Sequence, residues 1–151
     1  MLINIVPDTN IILKGMFGYR SAERQLLNLA LAKKIVLYGS KETFDEFCEK
    51  VHMPRFKRFW DKKIFSPEKI ILDYKSLINM VEPSEAHALL NIPIRDPDDA
   101  IFFKVAKSCG AKIIISHDKD VLEVKKYDDI ITVNAEKFIE KYNKRYPNPL
   151  A

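Results

Sequence analysis

Four short stretches of this chain are almost wholly apolar and rich in β-branched residues: Ile3-Asn4-Ile5-Val6, Ile35-Val36-Leu37-Tyr38, Ile113-Ile114-Ile115-Ser116 and Ile130-Ile131-Thr132-Val133. A strand with one face in water alternates apolar and polar residues, whereas a strand that is apolar throughout must be covered on both faces. Helical patterns lie between them. Leu26, Leu27, Leu29, Ala30 and Ala32 make a broad stripe within residues 21–33, with Ser21 as N-cap. Phe44, Phe47, Cys48 and Val51 follow the i, i+3, i+4, i+7 pattern after a capping Ser40. Residues 55–81 read as helix in two pieces broken at Ser66-Pro67, and residues 81–95, with Pro83 and Pro93, as extended loop or a short strand. A helix over 97–108 ends before Gly110, and another over 135–146 closes the chain. Strands alternating with helices predict an α/β fold with a central parallel sheet covered on both sides.

The 151 residues suit one domain, taken as 1–146 with a frayed tail at 147–151. No apolar run reaches the ~18 residues of a membrane span. The first residues, Met1-Leu2-Ile3-Asn4-Ile5, lack the charged region and small-residue cleavage site of a signal peptide, so a cytoplasmic location is expected. Cys48 and Cys109 are then expected as free thiols.

The chain carries a net charge of +4, yet its carboxylates are grouped. Asp8 follows the first strand in Val6-Pro7-Asp8-Thr9-Asn10. Glu42, Asp45, Glu46 and Glu49 share one helix. Asp96-Pro97-Asp98-Asp99 opens another, and Asp118 and Asp120 lie in Ser116-His117-Asp118-Lys119-Asp120. In an open parallel sheet the functional crevice lies beyond the carboxyl ends of the strands. If the first and third apolar strands are neighbours, Asp8 and Asp118 project into the same crevice. Spacing alone does not place Asp98 or Asp99, nor choose Glu46 from the other acids of its helix.

Each acid also has a local role open to it. Asp8 fits an N-cap; Asp96 fits an N-cap with Pro97 at N1 and two acids in the first turn; Asp118 or Asp120 fits a cap for residues 121–124. The acids of 42–49 fit a solvated face. Brought together, however, such carboxylates repel one another unless a divalent cation sits among them. Oxygen donors of this kind suit Mg²⁺ or Mn²⁺, which polarise a phosphodiester and activate water. His52, His87 and His117 show no paired zinc-ligand spacing, and His117 reads as an exposed loop residue. There is no Gly-rich phosphate loop and no nucleophile elbow.

Taken in this order and at these separations, the four motifs resemble the PIN-domain ribonucleases, within them the VapC-like toxins of toxin–antitoxin pairs, over nearly the whole chain. The resemblance implies a three-layer α/β/α sandwich, a Mg²⁺/Mn²⁺ site and endonucleolytic cleavage of RNA. It carries Asp8, Glu46, Asp99 and Asp118 over as the catalytic, metal-site acids, with Asp98 competing for the third position. Asn10, Ser116 (where threonine is commoner) and Asp120 would support them by hydrogen bonding. It also implies an antitoxin partner and a homodimer. Housekeeping RNA-processing nucleases share these acids, and a non-catalytic RNA- or protein-binding module would use them only as caps and a solvated face.

Arg55, Lys57 and Arg58 interleave with Phe56, Phe59 and Trp60 in Met53-Pro54-Arg55-Phe56-Lys57-Arg58-Phe59-Trp60. The aromatic i, i+3, i+4 spacing packs those rings inward, leaving the basic residues to neutralise RNA phosphates.

Overall fold

The apolar stretches pair side by side. The computed structural model describes residues 2–18, 20–57 and 66–147. Its strands β1 (Ile3–Pro7), β2 (Ile35–Gly39), β3 (Ile78–Met80), β4 (Ile113–Ile115), β5 (Lys126–Tyr127) and β6 (Ile130–Val133) form one sheet in the order β3-β2-β1-β4-β6-β5. All neighbours are parallel except β5, which pairs antiparallel with β6. The described helices are α1 (Thr9–Phe17), α2 (Ala22–Leu31), α3 (Lys41–Val51), α4 (Pro67–Leu77), α5 (Glu85–Ala88), α6 (Ala100–Cys109), α7 (Lys119–Val124) and α8 (Ala135–Arg145).

Side chains alternate across a strand, and here the alternation builds two cores. Ile5 and Ile115 enter one with Leu26, Phe47, Tyr74 and Phe138; Val6 and Ile114 enter the other with Phe102, Phe103 and Val105 of α6. The sheet is therefore covered on both faces, as the sequence demands. Ser21, Ser40 and Ser66 each accept a backbone N–H three residues on, and Gly110 ends α6 at φ 73°. Cys48 and Cys109 are free and half-buried. Among the described residues no helix is long and apolar enough to cross a membrane.

Four elements differ from the sequence expectation. Residues 81–95, read as extended loop or a short strand, contain the short helix α5, which Ser84 starts by accepting the His87 N–H. The residues after Asp8, for which the sequence suggested only an N-cap, form a nine-residue helix; Ile11, Ile12, Leu13 and Gly15 are buried, so α1 shows little polar face to reveal its period. Residues 78–80, read as the end of a helix, form an edge strand because pairing with β2 is available where α4 stops. Lys126 and Tyr127 add a short antiparallel edge. The expected frayed tail falls largely on residues 148–151, outside the described residues.

Pro7 lies inside β1 rather than ending it. The next residue, Asp8, donates its backbone N–H to Ile115 O at 2.8 Å. Successive N–H groups of a strand point to opposite sides, so the donor that proline lacks falls on the β2 side. Pairing there ends at Ile5↔Leu37, while on the β4 side it runs on to Pro7↔Ile115. A proline is thus tolerated in a central strand, and Asp8 is pinned to β4 by its own backbone.

The α1–α2 contact depends on Gly15. A Cβ there would lie 2.7 Å from Leu27 Cδ1 and 2.8 Å from the Glu23 carbonyl oxygen. Helix propensity favours Gly→Ala by about 1 kcal/mol, and overpacking against backbone costs about 1–3 kcal/mol. Gly15→Ala is therefore expected to destabilise on balance, read as a lower urea midpoint; a raised midpoint would mean the helices can part freely.

Candidate active site

The strand order changes direction between β1 and β4, which is where an α/β sheet opens a crevice at its carboxyl edge. Asp8 leaves β1 there and is only 4% exposed. Its Oδ1 accepts the Asn10 N–H at 3.1 Å and the Thr9 hydroxyl at 3.3 Å; its Oδ2 accepts the buried Ser116 hydroxyl at 2.8 Å. The same Ser116 Oγ accepts the Asp118 N–H at 2.9 Å, and Asp118 Oδ1 accepts the Asp120 N–H at 2.8 Å. One hydroxyl thereby ties both strand ends together. Asp8 caps α1 and Asp118 caps α7, as local reasoning expects, and Asp118 spends one oxygen on the cap. Asp120 contributes its backbone to this arrangement.

Asp96 is also a cap, accepting the Asp98 N–H at 3.0 Å, and Asp98 is exposed. Asp99 behaves differently. It sits at the N-cap position of α6 yet makes no side-chain capping bond, and its Oδ2 is buried without a hydrogen-bond partner among the described residues. Burial, and then the negative charges of Asp118, Asp8, Asp96 and Glu46, push its carboxyl up to about 7. Asp99, rather than Asp98, is the acid of this run that faces the others.

On α3, Glu42, Asp45 and Glu49 are exposed, whereas Glu46 is half-buried and pairs with Lys50 Nζ at 2.8 Å. Lys50 also donates to Thr9 Oγ1 at 3.1 Å and to Asn10 Oδ1 at 3.2 Å. The sequence reading missed Lys50 and Thr9; the available signal was the i, i+4 spacing of Glu46 and Lys50. Farther along, Phe56 stacks on Phe17 with centroids 5.3 Å apart, so that ring turns inward as expected. Arg55 and Lys57 are exposed. Arg58, Phe59 and Trp60 lie outside the described residues.

His117 is not a free loop histidine. Its Nε2 is hydrogen-bonded to Glu23 Oε1, which also meets Lys14 Nζ at 3.2 Å, and its Nδ1 lies 4.0 Å from Glu136 Oε2. The Glu23 side chain is 1% exposed on the inner face of α2. Burial works against its charge, but hydrogen bonds from its own backbone, His117 and Lys14 outweigh burial and lower its pKa. The spacing of Glu23 before Leu26 and Leu27 placed it on the apolar stripe, a signal that could have flagged it.

The donor atoms of Glu23, His117 and Glu136 lie within 4.8 Å of one another, which no three of the motif acids do among the described residues. Glu23 nevertheless has a cation in Lys14, and the imidazole engages both carboxylates, one with each nitrogen, so this group acts as a tether for the Ser116–Asp118 turn. The motif acids are the better seat for a hard cation. They offer only oxygen donors, and a buried Asp99 oxygen stands unpartnered in a strongly negative field.

A sequence model of the PIN domain matches residues 4–120. The chain belongs to the PIN-domain family. That family is one of nucleases. This PIN domain is 26% identical to the uncharacterized protein MJ1680 of Methanocaldococcus jannaschii, over 94% of this chain and 93% of that one. Its fold is similar to VapBC2 from Rickettsia felis, solved bound to a promoter DNA fragment, with a TM-score of 0.60 at 14% identity, covering 87% of this chain and 98% of that one. PAE2754 from Pyrobaculum aerophilum gives 0.55 at 12% identity, covering 95% and 98%, and FitAcB from Neisseria gonorrhoeae 0.51 at 16%, covering 87% and 98%.

The Asp99 carboxyl supplies a test of the field within this PIN domain. Raised from 3.8 to about 7, it binds its proton more tightly folded than unfolded, so stability falls as pH climbs through that interval. In metal-free protein, Asp99→Asn should melt above wild type at about pH 8 and gain much less at about pH 4. Thermal melts in chelator across that range read the difference; equal gains at both ends would argue that Asp99 is not crowded by charge.

Proposed function

We propose that this PIN domain is a metal-dependent endoribonuclease that hydrolyses RNA phosphodiester bonds as the toxin of a toxin–antitoxin pair. The observation that carries the reading is Asp99: a buried carboxylate oxygen with no partner among the described residues, excused from capping, and crowded by Asp118, Asp8 and Glu46. A fold that served only to bind RNA or protein would account for the caps at Asp8, Asp96 and Asp118, but it leaves that oxygen without a purpose.

In this reading Asp8, Asp99 and Asp118 hold Mg²⁺ or Mn²⁺, and Glu46 is the fourth acid of the centre. When bound, such an ion supplies a polarised phosphodiester and a water of lowered pKa. Ser116 fixes the orientation of Asp8 and the backbone at Asp118, while Asn10 and Asp120 give backbone N–H groups to those two carboxylates. Arg55, Lys57 and Arg58 neutralise phosphates along the substrate strand. Structural likeness to VapBC2 and FitAcB supports the toxin role and an antitoxin partner; a homodimer and a cytoplasmic site of action are part of the same proposal.

Structured RNA incubated with Mg²⁺ or Mn²⁺ should be cleaved by wild type. Loss of residues that merely orient ligands costs about 10–100-fold, so Asp8→Asn and Asp118→Asn are expected to lose ~100-fold or more. Equal survival of RNA with wild type and both variants under several metals sinks the enzyme reading; cleavage of single-stranded DNA instead would reassign the substrate.

Phosphate contacts have a separate signature. Each contact to single-stranded nucleic acid contributes about 0.7 to the slope of log affinity against log salt. Charge reversal at Arg55, Lys57 and Arg58 together should flatten that slope by about 2. An unchanged slope would place the RNA elsewhere.

A further inference from the structure

Glu46 differs from the other motif acids in having a cation of its own. Lys50 Nζ lies 2.8 Å from Glu46 Oε1 and reaches across from α3 to α1, donating to Thr9 Oγ1 at 3.1 Å and Asn10 Oδ1 at 3.2 Å. The ammonium thus has three oxygen partners, two hydrogen-bonded and one ion-paired. The contrast with the other i, i+4 pairs is instructive. In Lys41–Asp45, Lys69–Asp73, Lys119–Glu123 and Lys144–Glu140 every side chain is at least 41% exposed, while that of Lys50 is 17% exposed. Exposed pairs of this kind do little for a fold. Lys50 instead places a fixed positive charge against the acid cluster, through a side chain held on two helices.

The cluster is therefore divided. On one side Asp99 Oδ2 is buried and unpartnered; on the other Glu46 is already neutralised. A pair of divalent ions in a nuclease sits about 3.5–4 Å apart and needs carboxylates free to serve both. Glu46 does not meet that condition while Lys50 holds it.

We propose that Lys50 is a built-in second cation of this site, so that the cluster takes up a single divalent ion, on the side of Asp8, Asp99 and Asp118. The inference rests on the metal-dependent reading above and adds a stoichiometry to it. Lys50 is thereby a positioning residue: it holds Glu46 and Asn10 and supplies a charge that does not vary with metal concentration.

Calorimetric titration of the chelator-stripped protein with Mn²⁺ tests this without any turnover. Wild type and Lys50→Arg, which keeps the charge, should each bind one ion. Lys50→Met, which keeps the stem and removes the charge, should bind two, and the first should bind on the order of tenfold more tightly once the nearby positive charge is gone. Electron paramagnetic resonance of the Mn²⁺-loaded Lys50→Met protein should show an exchange-coupled pair that wild type lacks. Circular dichroism checks folding, and Lys50→Gln serves as the charge-free variant if Lys50→Met does not fold. Two ions bound by wild type, or one ion still bound by the charge-free variant, overturns the proposal while leaving the metal-dependent reading intact. No Mn²⁺ bound by wild type removes both.

Discussion

The Ser116 hydroxyl donates to Asp8 Oδ2 and accepts from the Asp118 N–H, so it bridges the ends of β1 and β4. Because it is fully buried, water does not compete for these bonds, and losing one partner would strand another in an apolar setting. The hydroxyl therefore sets the relation between the two strand-end acids. The Glu23–His117 pair braces the same turn from the opposite side, through the residue that separates Ser116 from Asp118. The crevice is built on backbone pairing below and on two side-chain ties above.

Capping and metal chemistry are often treated as rival explanations of an aspartate at a helix start. Here they coexist. Asp118 gives a single oxygen to its cap, leaving the other to face the crevice. Asp8 uses both oxygens and is the most constrained of the four. Asp99 is relieved of capping because Asp96 performs it for the preceding turn. The helix starts thus gather carboxylates near positive dipole ends, which offsets part of the repulsion that their proximity creates.

Much of this was legible in the sequence. Four apolar stretches foretold a two-faced parallel sheet, and strand-end position alone drew Asp8 and Asp118 together once β1 and β4 were allowed to be neighbours. Asp99 and Glu46 were legible only by family resemblance, because a helix arriving after a long loop can start anywhere. α1 was hidden by its own burial: with Ile11, Ile12, Leu13 and Gly15 inside, only Asn10 and Lys14 mark a polar face. β3 was hidden because its partner, not its propensity, makes it a strand. Lys50 was hard to single out for a further reason. Its i, i+4 spacing to Glu46 is common, and only the approach of α3 to α1 turns an ordinary pair into part of a cluster.

Pro7 bears on more than the shape of a strand. Were β1 to slip by one residue so that Pro7 took the place of Asp8 against β4, the position that now donates through the Asp8 N–H would have none to give, and every side chain of β1 would change face. Asp8 would then point into a core instead of the crevice. A residue without a hydrogen to give thus works as a one-way register lock: it leaves the sheet incomplete when the strand slips toward that misalignment.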